Sequence, residues 1–491
     1  MPRPPRLALA LALPLALAAL PLGAQITEGE YASRRAALAA ALGDGAFVAF
    51  GAGEPVHDYE RFEQATNFLY LTGVREPGAA LVVVRRGGQA TSTLFVEETD
   101  PEREVWSGRR AGVAETGRRT GLPTRPSPQL AGVLDSLAAA RLPFFVVGEA
   151  AGEGARSRDQ QLVATLHQRH PGLRVTSAAT LVERLRGKKS EAELALIRRA
   201  AEITVAAQRE AMALIEPETN EFEAQALIEY TFRRNGADRP SFATIVGSGP
   251  NSTTLHYNDD DRFMRAGEVV VMDIGASYRG YAADVTRTVP VSGTFTPAQR
   301  EIYQLVRDAQ AAAERQAKPG ARAQVMSDSA AAVLARGLAR LGLIDGPAAT
   351  YDCDAGGSRQ CPQLSLYYMH ALGHGIGLEV HDPDQYYFTG RIEEGSAFTL
   401  EPGVYVRAGL LDLLPKTARN RAFAARVAPA VARYRDVGVR IEDDYVVTGQ
   451  GVEWISRAPR EASEVEAAMR GPFAPAKRDA AMVDAYRRVT Q

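Results

Sequence analysis

The sequence predicts an α/β N-terminal domain followed by an α+β catalytic domain. Three observations carry that reading. Short apolar, β-branched runs alternate with helical stretches over the first third of the chain. The basic segment Arg186-Gly187-Lys188-Lys189 then marks a boundary, with a helix-opening motif directly after it. Beyond Ser241 the character changes, and single carboxylates interrupt strand-like apolar segments.

Residues 1–24 come first. Arg3 and Arg6 precede the apolar run Leu7–Leu22, and Gly23-Ala24-Gln25 follows. Charged, apolar, then small is the order of a secretory signal. Pro14 and Pro21 break the run, which is too short to favour a membrane span. A retained N-terminal anchor is the alternative. Cleavage is expected after Ala24, giving an exported protein, periplasmic or secreted, with no membrane span in the mature chain.

Residues 25–186 read as one α/β unit. Strands are expected at Ala46–Phe50, Ala79–Val84, Thr93–Val96 and Phe144–Val147, and a helix at Pro128–Ala140. Ser190-Glu191-Ala192-Glu193 is a Ser-x-x-Glu capping box that opens a long helix to about Leu214. Glu216-Pro217 stops it, because the residue before proline is pushed out of helical space. A second helix runs from about Glu221 to Asn235-Gly236. Val269–Ile274 and Ala282–Val289 are strand-like and joined by the turn-like Ser277–Gly280. A hairpin there would bring Asp273 and Asp284 onto neighbouring strands. Helices are expected at Pro297–Gln316 and Gln324–Leu341, and a last strand pair around Glu442 and Tyr445–Thr448. The catalytic domain is thus assigned residues 187–457, and residues 458–491 a helical tail. The chain shows no internal repeat.

Composition excludes some classes. With 491 residues, there is room for two or three domains with sizeable cores. A net charge of −2 supplies no basic field to recruit nucleic acid. Cys353 and Cys361 are the only cysteines. In an exported protein a close pair suggests a disulfide. Closing so short a loop stabilises by about 2.5 kcal/mol in the chain-entropy model. A metal-binding pair is the alternative, but it lacks further Cys or nearby His in finger-like spacing.

Five residues carry the chemistry: Asp273, Asp284, His374, Glu401 and Glu442. A charge inside a buried strand is costly unless it is paired or metal-bound. Asp273 follows Val269–Met272, Glu401 follows Phe398-Thr399-Leu400, and Glu442 follows Val439 and Ile441. Four carboxylates and one imidazole make an oxygen-rich set suited to two divalent ions such as Mn²⁺. That set points to a two-metal hydrolase, in which a hydroxide held between the ions forms near neutral pH. Buried salt bridges to arginine are the bland alternative. His370 and His374 are four apart, which on a helix would put them on one side. There is no His-Glu-x-x-His for a zincin site. Gly247-Ser248-Gly249 lacks the nucleophile-elbow pattern, so a serine hydrolase is disfavoured.

In the segments holding those five residues the sequence resembles the pita-bread metallopeptidases, the family of methionine aminopeptidase, prolidase and aminopeptidase P. Met369-His370-Ala371-Leu372-Gly373-His374-Gly375-Ile376-Gly377-Leu378-Glu379-Val380-His381-Asp382 is very similar to the histidine motif of aminopeptidase P and prolidase. Phe68–Pro77 and Glu104–Arg110 resemble the aminopeptidase P N-terminal domain. The resemblance covers roughly Glu30 to Ser456. It implies a creatinase/aminopeptidase P-like N-terminal domain, a pita-bread catalytic domain and a homo-oligomer. It further implies that Asp273 chelates one ion, that His374 and Glu401 chelate the other, and that Asp284 and Glu442 bridge. Glu401 would also be the general base. His381 would donate to the developing oxyanion, and His256, His370 and His381 would line a proline pocket. Arg440 would orient the bridging carboxylates with help from Tyr405. The implied substrate is a peptide with proline at position two, cleaved before that proline. A prolidase restricted to Xaa-Pro dipeptides, and a metal-free peptide-binding relative, are the competing expectations. The Cys353–Cys361 segment and the arginine-rich stretch Ala408–Arg435 depart from the family pattern.

Overall fold

The computed structural model describes residues 25–57, 59–147 and 157–473. The expected signal segment and the end of the expected tail, 474–491, lie outside the described residues.

The apolar runs of the first third become the centre of one mixed sheet. β1 (Gly45–Phe50), β2 (Ala80–Arg86) and β3 (Gln89–Val96) pair antiparallel. β4 (Thr124–Pro126), β5 (Phe144–Val146) and β6 (Val175–Ser177) add in parallel, in the order β4-β3-β2-β1-β5-β6. Helices α1 (Glu28–Leu42), α2 (Thr66–Thr72), α3 (Pro101–Ser107), α4 (Gly112–Thr120), α5 (Leu130–Ala139), α6 (Arg158–Arg169) and α7 (Ala179–Gly187) connect and cover the strands. One core gathers Leu38, Phe47, Phe68 and Val83, and another gathers Val48, Phe95, Leu134 and Phe144. Adjacent residues of β1 therefore serve opposite faces, as covered strands must. β4 and β6 were not expected. Each is three residues long and carries polar side chains, so no apolar run marks it.

The catalytic helices begin as the capping motifs predict. Ser190 and Glu193 exchange side-chain and backbone bonds at 3.2 and 2.9 Å, opening α8 (Glu191–Leu214). Asn220 caps α9 (Glu221–Arg234) in the same reciprocal way. α10 (Pro297–Gln316) and α11 (Ala323–Arg340) complete a layer that buries Ile203, Phe232, Ile302, Val306 and Leu334 in the largest core.

The expected hairpin forms but changes sheet midway. In chain order come β7 (Arg239–Pro240), β8 (Ile245–Ser248), β9 (Val269–Ile274), β10 (Ala276–Tyr278), β11 (Tyr281–Ala282) and β12 (Val285–Pro290). β9 pairs with β12, with Thr286 opposite Asp273, while the tip β10–β11 pairs with β7 in a separate small sheet. The break falls at Gly275 on one arm and Ala283-Asp284 on the other. A side chain at 275 would run into Ser241 and the Ala283 carbonyl, so the crossing needs glycine.

A second ribbon breaks in the same manner. After the hairpin β13 (Thr350–Asp352) and β14 (Gln360–Pro362) come β15 (Ala397–Leu400), β16 (Gly403–Val406), β17 (Val437–Arg440), β18 (Asp443–Thr448) and β19 (Gly451–Trp454). β15 pairs with β18 and β16 with β17, leaving Glu401-Pro402 and Ile441-Glu442 between the halves. Asp284, Glu401 and Glu442 thus lie at breaks, and only Asp273 lies within a strand. At a break the strict alternation of faces stops, so a side chain can be aimed across the ribbon.

Short helices finish the domain: α12 (Gln385–Thr389), α13 (Ala418–Arg433) and α14 (Ala462–Met469). The arginine-rich stretch is largely α13, whose Phe423, Val427 and Val431 join the main core. The expected tail helix covers only α14 among the described residues. None of the described helices is long and apolar enough to cross a membrane.

Cys353 and Cys361 are bonded, closing the β13–β14 hairpin. Titration of denatured, unreduced protein from its native compartment is expected to find no free thiol. Two reactive thiols would overturn the pairing. Removing the bond should cost about 2.5 kcal/mol of stability.

The two domains share a buried seam. Arg34 of α1 stacks on Tyr70 at 4.2 Å and pairs with Glu193 of α8 at 3.2 Å. Ile26 packs with Leu194, Ile197, Ile376 and Val446 of the catalytic side.

Candidate metal centre

The two broken ribbons deliver Asp284, Glu401 and Glu442 to one point, with Asp273 alongside on Arg440, and a third segment brings the imidazole. Residues 370–381 form no helix, so His370 and His374 are not related by helical spacing. The segment instead runs beside β15, with Thr399 N donating to His374 O at 2.8 Å and Glu401 N to Leu372 O at 2.7 Å. Gly373 lies against the Thr399 backbone, where no side chain fits.

His374 Nε2 stands 3.5 Å from Asp284 Oδ2, 3.5 Å from Glu401 Oε1 and 3.9 Å from Glu442 Oε1. Its Nδ1 lies 3.1 Å from the Gly375 carbonyl. A carbonyl only accepts, so Nδ1 carries the proton and Nε2 offers its lone pair to the centre. Donor atoms of Asp284, His374 and Glu442 all lie within 4.8 Å of one another.

Electrostatics say what the group lacks. Burial, then the Glu442 carboxylate, pushes both Asp284 and Glu401 well above the usual carboxylate range. Burial and then Asp273 push Glu442 up to about 7. Burial, then His381, lowers His374 to about 4 and keeps it neutral. Asp273 Oδ1, Asp284 Oδ1 and Glu442 Oε1 are buried without a hydrogen-bond partner. Buried carboxylate oxygens left bare cost several kcal/mol unless a positive charge answers them. The donor set therefore fits divalent cations.

A shell of hydrogen bonds aims these donors. Thr286 Oγ1 donates to Glu442 Oε2 at 2.7 Å, and Asp284 N donates to Asp444 at 3.2 Å. Arg440 pairs with Asp273 and donates from Nε to Thr286 Oγ1 at 3.1 Å and from Nη1 to Tyr405 at 2.9 Å. The expectation that Arg440 orients Asp284 and Glu442 therefore meets a different arrangement. Its ion pair holds Asp273, and it reaches Glu442 only through Thr286. Tyr405 passes the chain on to His370 Nε2 at 2.9 Å, while His370 Nδ1 lies 2.8 Å from the Ala371 carbonyl. Both ring nitrogens of His370 are thus engaged, and burial lowers its pKa to about 4. That leaves the ring neutral, better suited to hold a pocket wall than to move protons.

The His381 ring packs tilted against that of His374, ring centres 4.1 Å apart, and His256 lies near both His370 and His381. A cleft of about 680 Å³ opens beside His381, walled by Asn67 and Glu183 of the N-terminal domain and by Glu379 and Tyr387 of the catalytic domain.

Sequence reading missed Thr286, Asp444 and Asp443. Asp443 forms a fully buried pair with Arg287 at 2.6 Å behind Glu442. The Thr286-Arg287 and Asp443-Asp444 dipeptides beside the metal carboxylates were the available signal.

Comparison with known proteins agrees with the geometry. Residues 195–449 match the model of metallopeptidase family M24, and residues 31–143 match the aminopeptidase P N-terminal domain. The chain is 33% identical to an Xaa-Pro aminopeptidase of Escherichia coli, covering 91% of this chain and 98% of that one. Its structure is similar to that of zinc-substituted E. coli aminopeptidase P in complex with product, with a TM-score of 0.75 at 30% identity, covering 91% of this chain and 98% of that one. It is also similar to proline aminopeptidase P II from Yersinia pestis, with a TM-score of 0.75 at 30% identity, covering 90% and 99%.

Proposed function

The chain belongs to metallopeptidase family M24 and is a metallo-aminopeptidase, and from that premise we propose that it is an exported Xaa-Pro aminopeptidase. It removes the residue preceding proline from a peptide N-terminus. The observation that carries the reading is the cluster of Asp284, Glu401 and Glu442 carboxylates around His374 Nε2, with Asp284 Oδ1, Glu442 Oε1 and Asp273 Oδ1 buried and bare. Asp273, Asp284, His374, Glu401 and Glu442 would hold two divalent ions, and their oxygen-rich character suits Mn²⁺. Such ions act as Lewis acids, polarising the scissile carbonyl and making water acidic enough to attack near neutral pH.

The protein's own groups supply the rest. Glu401 takes the proton of the attacking water on a carboxylate oxygen. It then returns that proton to the departing proline nitrogen. His381 donates to the oxyanion. Arg440, Tyr405 and His370 form one hydrogen-bonded wall, and with His256 they shape the proline pocket. The cleft beside His381 gives a peptide room. Export is supported by the Arg3 to Ala24 pattern and the Cys353–Cys361 bond. A homo-oligomer follows from the family resemblance.

The test is an assay of purified protein with Mn²⁺, Co²⁺ or Zn²⁺ on Xaa-Pro dipeptides and on longer Xaa-Pro peptides. Release of the first residue from the longer peptides is expected, with loss on chelation. Cleavage of dipeptides alone would make the protein a prolidase, and cleavage of neither would make it a non-catalytic relative.

A further inference from the structure

We propose that Arg186, at the end of the last helix of the N-terminal domain, is a positioning residue for His381 and acts through Asp382. The inference rests on the oxyanion role proposed above for His381.

Arg186 is 3% exposed. Its Nη1 donates to Asn67 Oδ1 of α2 at 2.9 Å. Its Nη2 donates to Glu379 Oε2 at 2.9 Å and to Asp382 Oδ1. Glu379 and Asp382 bracket His381 in the chain, so one guanidinium grips both sides of the short segment that carries the imidazole. Asp382 Oδ1 also accepts from Glu379 N at 3.2 Å, closing the segment on itself. Asp382 N donates to Gly375 O at 2.8 Å, next to the ligand His374. Lys189 takes the other oxygen, Asp382 Oδ2, at 3.1 Å and donates to the Pro383 carbonyl. A side chain at 377 would begin 2.5 Å from Asp382 Oδ2, so Gly377 leaves the space this carboxylate needs.

Asp382 is thus anchored by two buried cations, neither of which bonds any of the five donor side chains among the described residues. What the anchor fixes is the neighbouring His381, whose ring sits 4.1 Å from that of His374. Arginine's rigid fork holds two acceptors in one geometry, which an ammonium cannot reproduce. An oxyanion donor must be in place before the charge develops, and a displacement of about 1 Å can cost about 10² in rate. The N-terminal domain would therefore be part of the catalytic apparatus and not only a cover.

The test is Arg186→Gln in the unaltered protein and in His381→Ala, with kcat, KM, bound metal and thermal midpoint measured for each. Lys189 stays on Asp382, so the carboxylate is not left bare. In the unaltered background kcat should fall about 10- to 100-fold with KM little changed and both ions retained. In the His381→Ala background the same substitution should change kcat by less than about threefold, because the group it positions is gone. Arg186→Lys should recover only part of the loss. An equal fold-loss in both backgrounds, or unaltered kcat in Arg186→Gln, overturns the inference. Should Arg186→Gln unfold or lose its ions, Asp382→Asn carries the test, and unaltered kcat with ions bound overturns it there. A fully active His381→Ala would bring down the oxyanion reading as well. An inactive His381→Ala beside additive losses brings down only the role of Arg186.

Discussion

Asp284→Ala is expected to leave a folded protein that has lost metal and nearly all activity. Asp284 is buried, one of its oxygens faces His374 Nε2 at 3.5 Å, and the other has no partner. Its position at the break between β11 and β12 sets it among the residues that would hold the ions, with His374 and Glu442. Without that carboxylate the remaining donors cannot neutralise two divalent charges. Without bound metal, water would no longer be acidic enough to attack near neutral pH. Turnover should drop by about 10³ or more. Elemental analysis should find at least one ion fewer per chain than in the unaltered protein. The apoprotein need not be unstable, because truncation also removes one of several crowded, buried negative charges. Unchanged metal content and activity would sink the two-metal reading.

The four carboxylates were legible because a charge that ends or interrupts an apolar run offends a local rule, as Asp273 does after Val269–Met272, and His374 by the glycines and motif around it. Helix starts were legible because a capping box is complete within four residues, as at Ser190–Glu193. The breaks at Gly275 and Pro402 were not legible, because they depend on which ribbon each strand joins, and pairing partners such as Gly403 and Arg440 lie far apart in the chain. The same distance hid the ion pair of Arg440 with Asp273. Arg186 and Asp382 are separated by 196 positions, and nothing near Arg186 hints at a carboxylate partner. Local chemistry marks the groups that act, whereas the groups that hold them are chosen by topology.

His381→Ala is expected to keep both ions and lose about 10²–10³ in turnover, with KM for Xaa-Pro peptides little changed. The proline bond makes this contact more demanding than in most peptide hydrolysis. Once acylated, the proline nitrogen has no hydrogen, so the scissile bond is a tertiary amide and its departing ring nitrogen must receive a proton. The site must deliver that proton while it stabilises an oxyanion beside the ring. In the proposed mechanism Glu401 would supply that proton, so the oxyanion would need a separate donor. Among the imidazoles, His374 spends Nδ1 on Gly375 and offers Nε2 to metal, and His370 spends both nitrogens on Ala371 and Tyr405. His381 packs tilted against His374 and lines the cleft, and burial lowers its pKa, which keeps it neutral with an N–H to give. Of these three imidazoles it is the one left with an N–H to donate. A donor used only in the transition state changes kcat and leaves ground-state binding alone. Near-normal turnover of Xaa-Pro peptides by the variant would remove His381 from that role. Equal cleavage of Xaa-Ala and Xaa-Pro peptides by the unaltered protein would show that the pocket formed by His256, His370 and His381 does not select the proline ring.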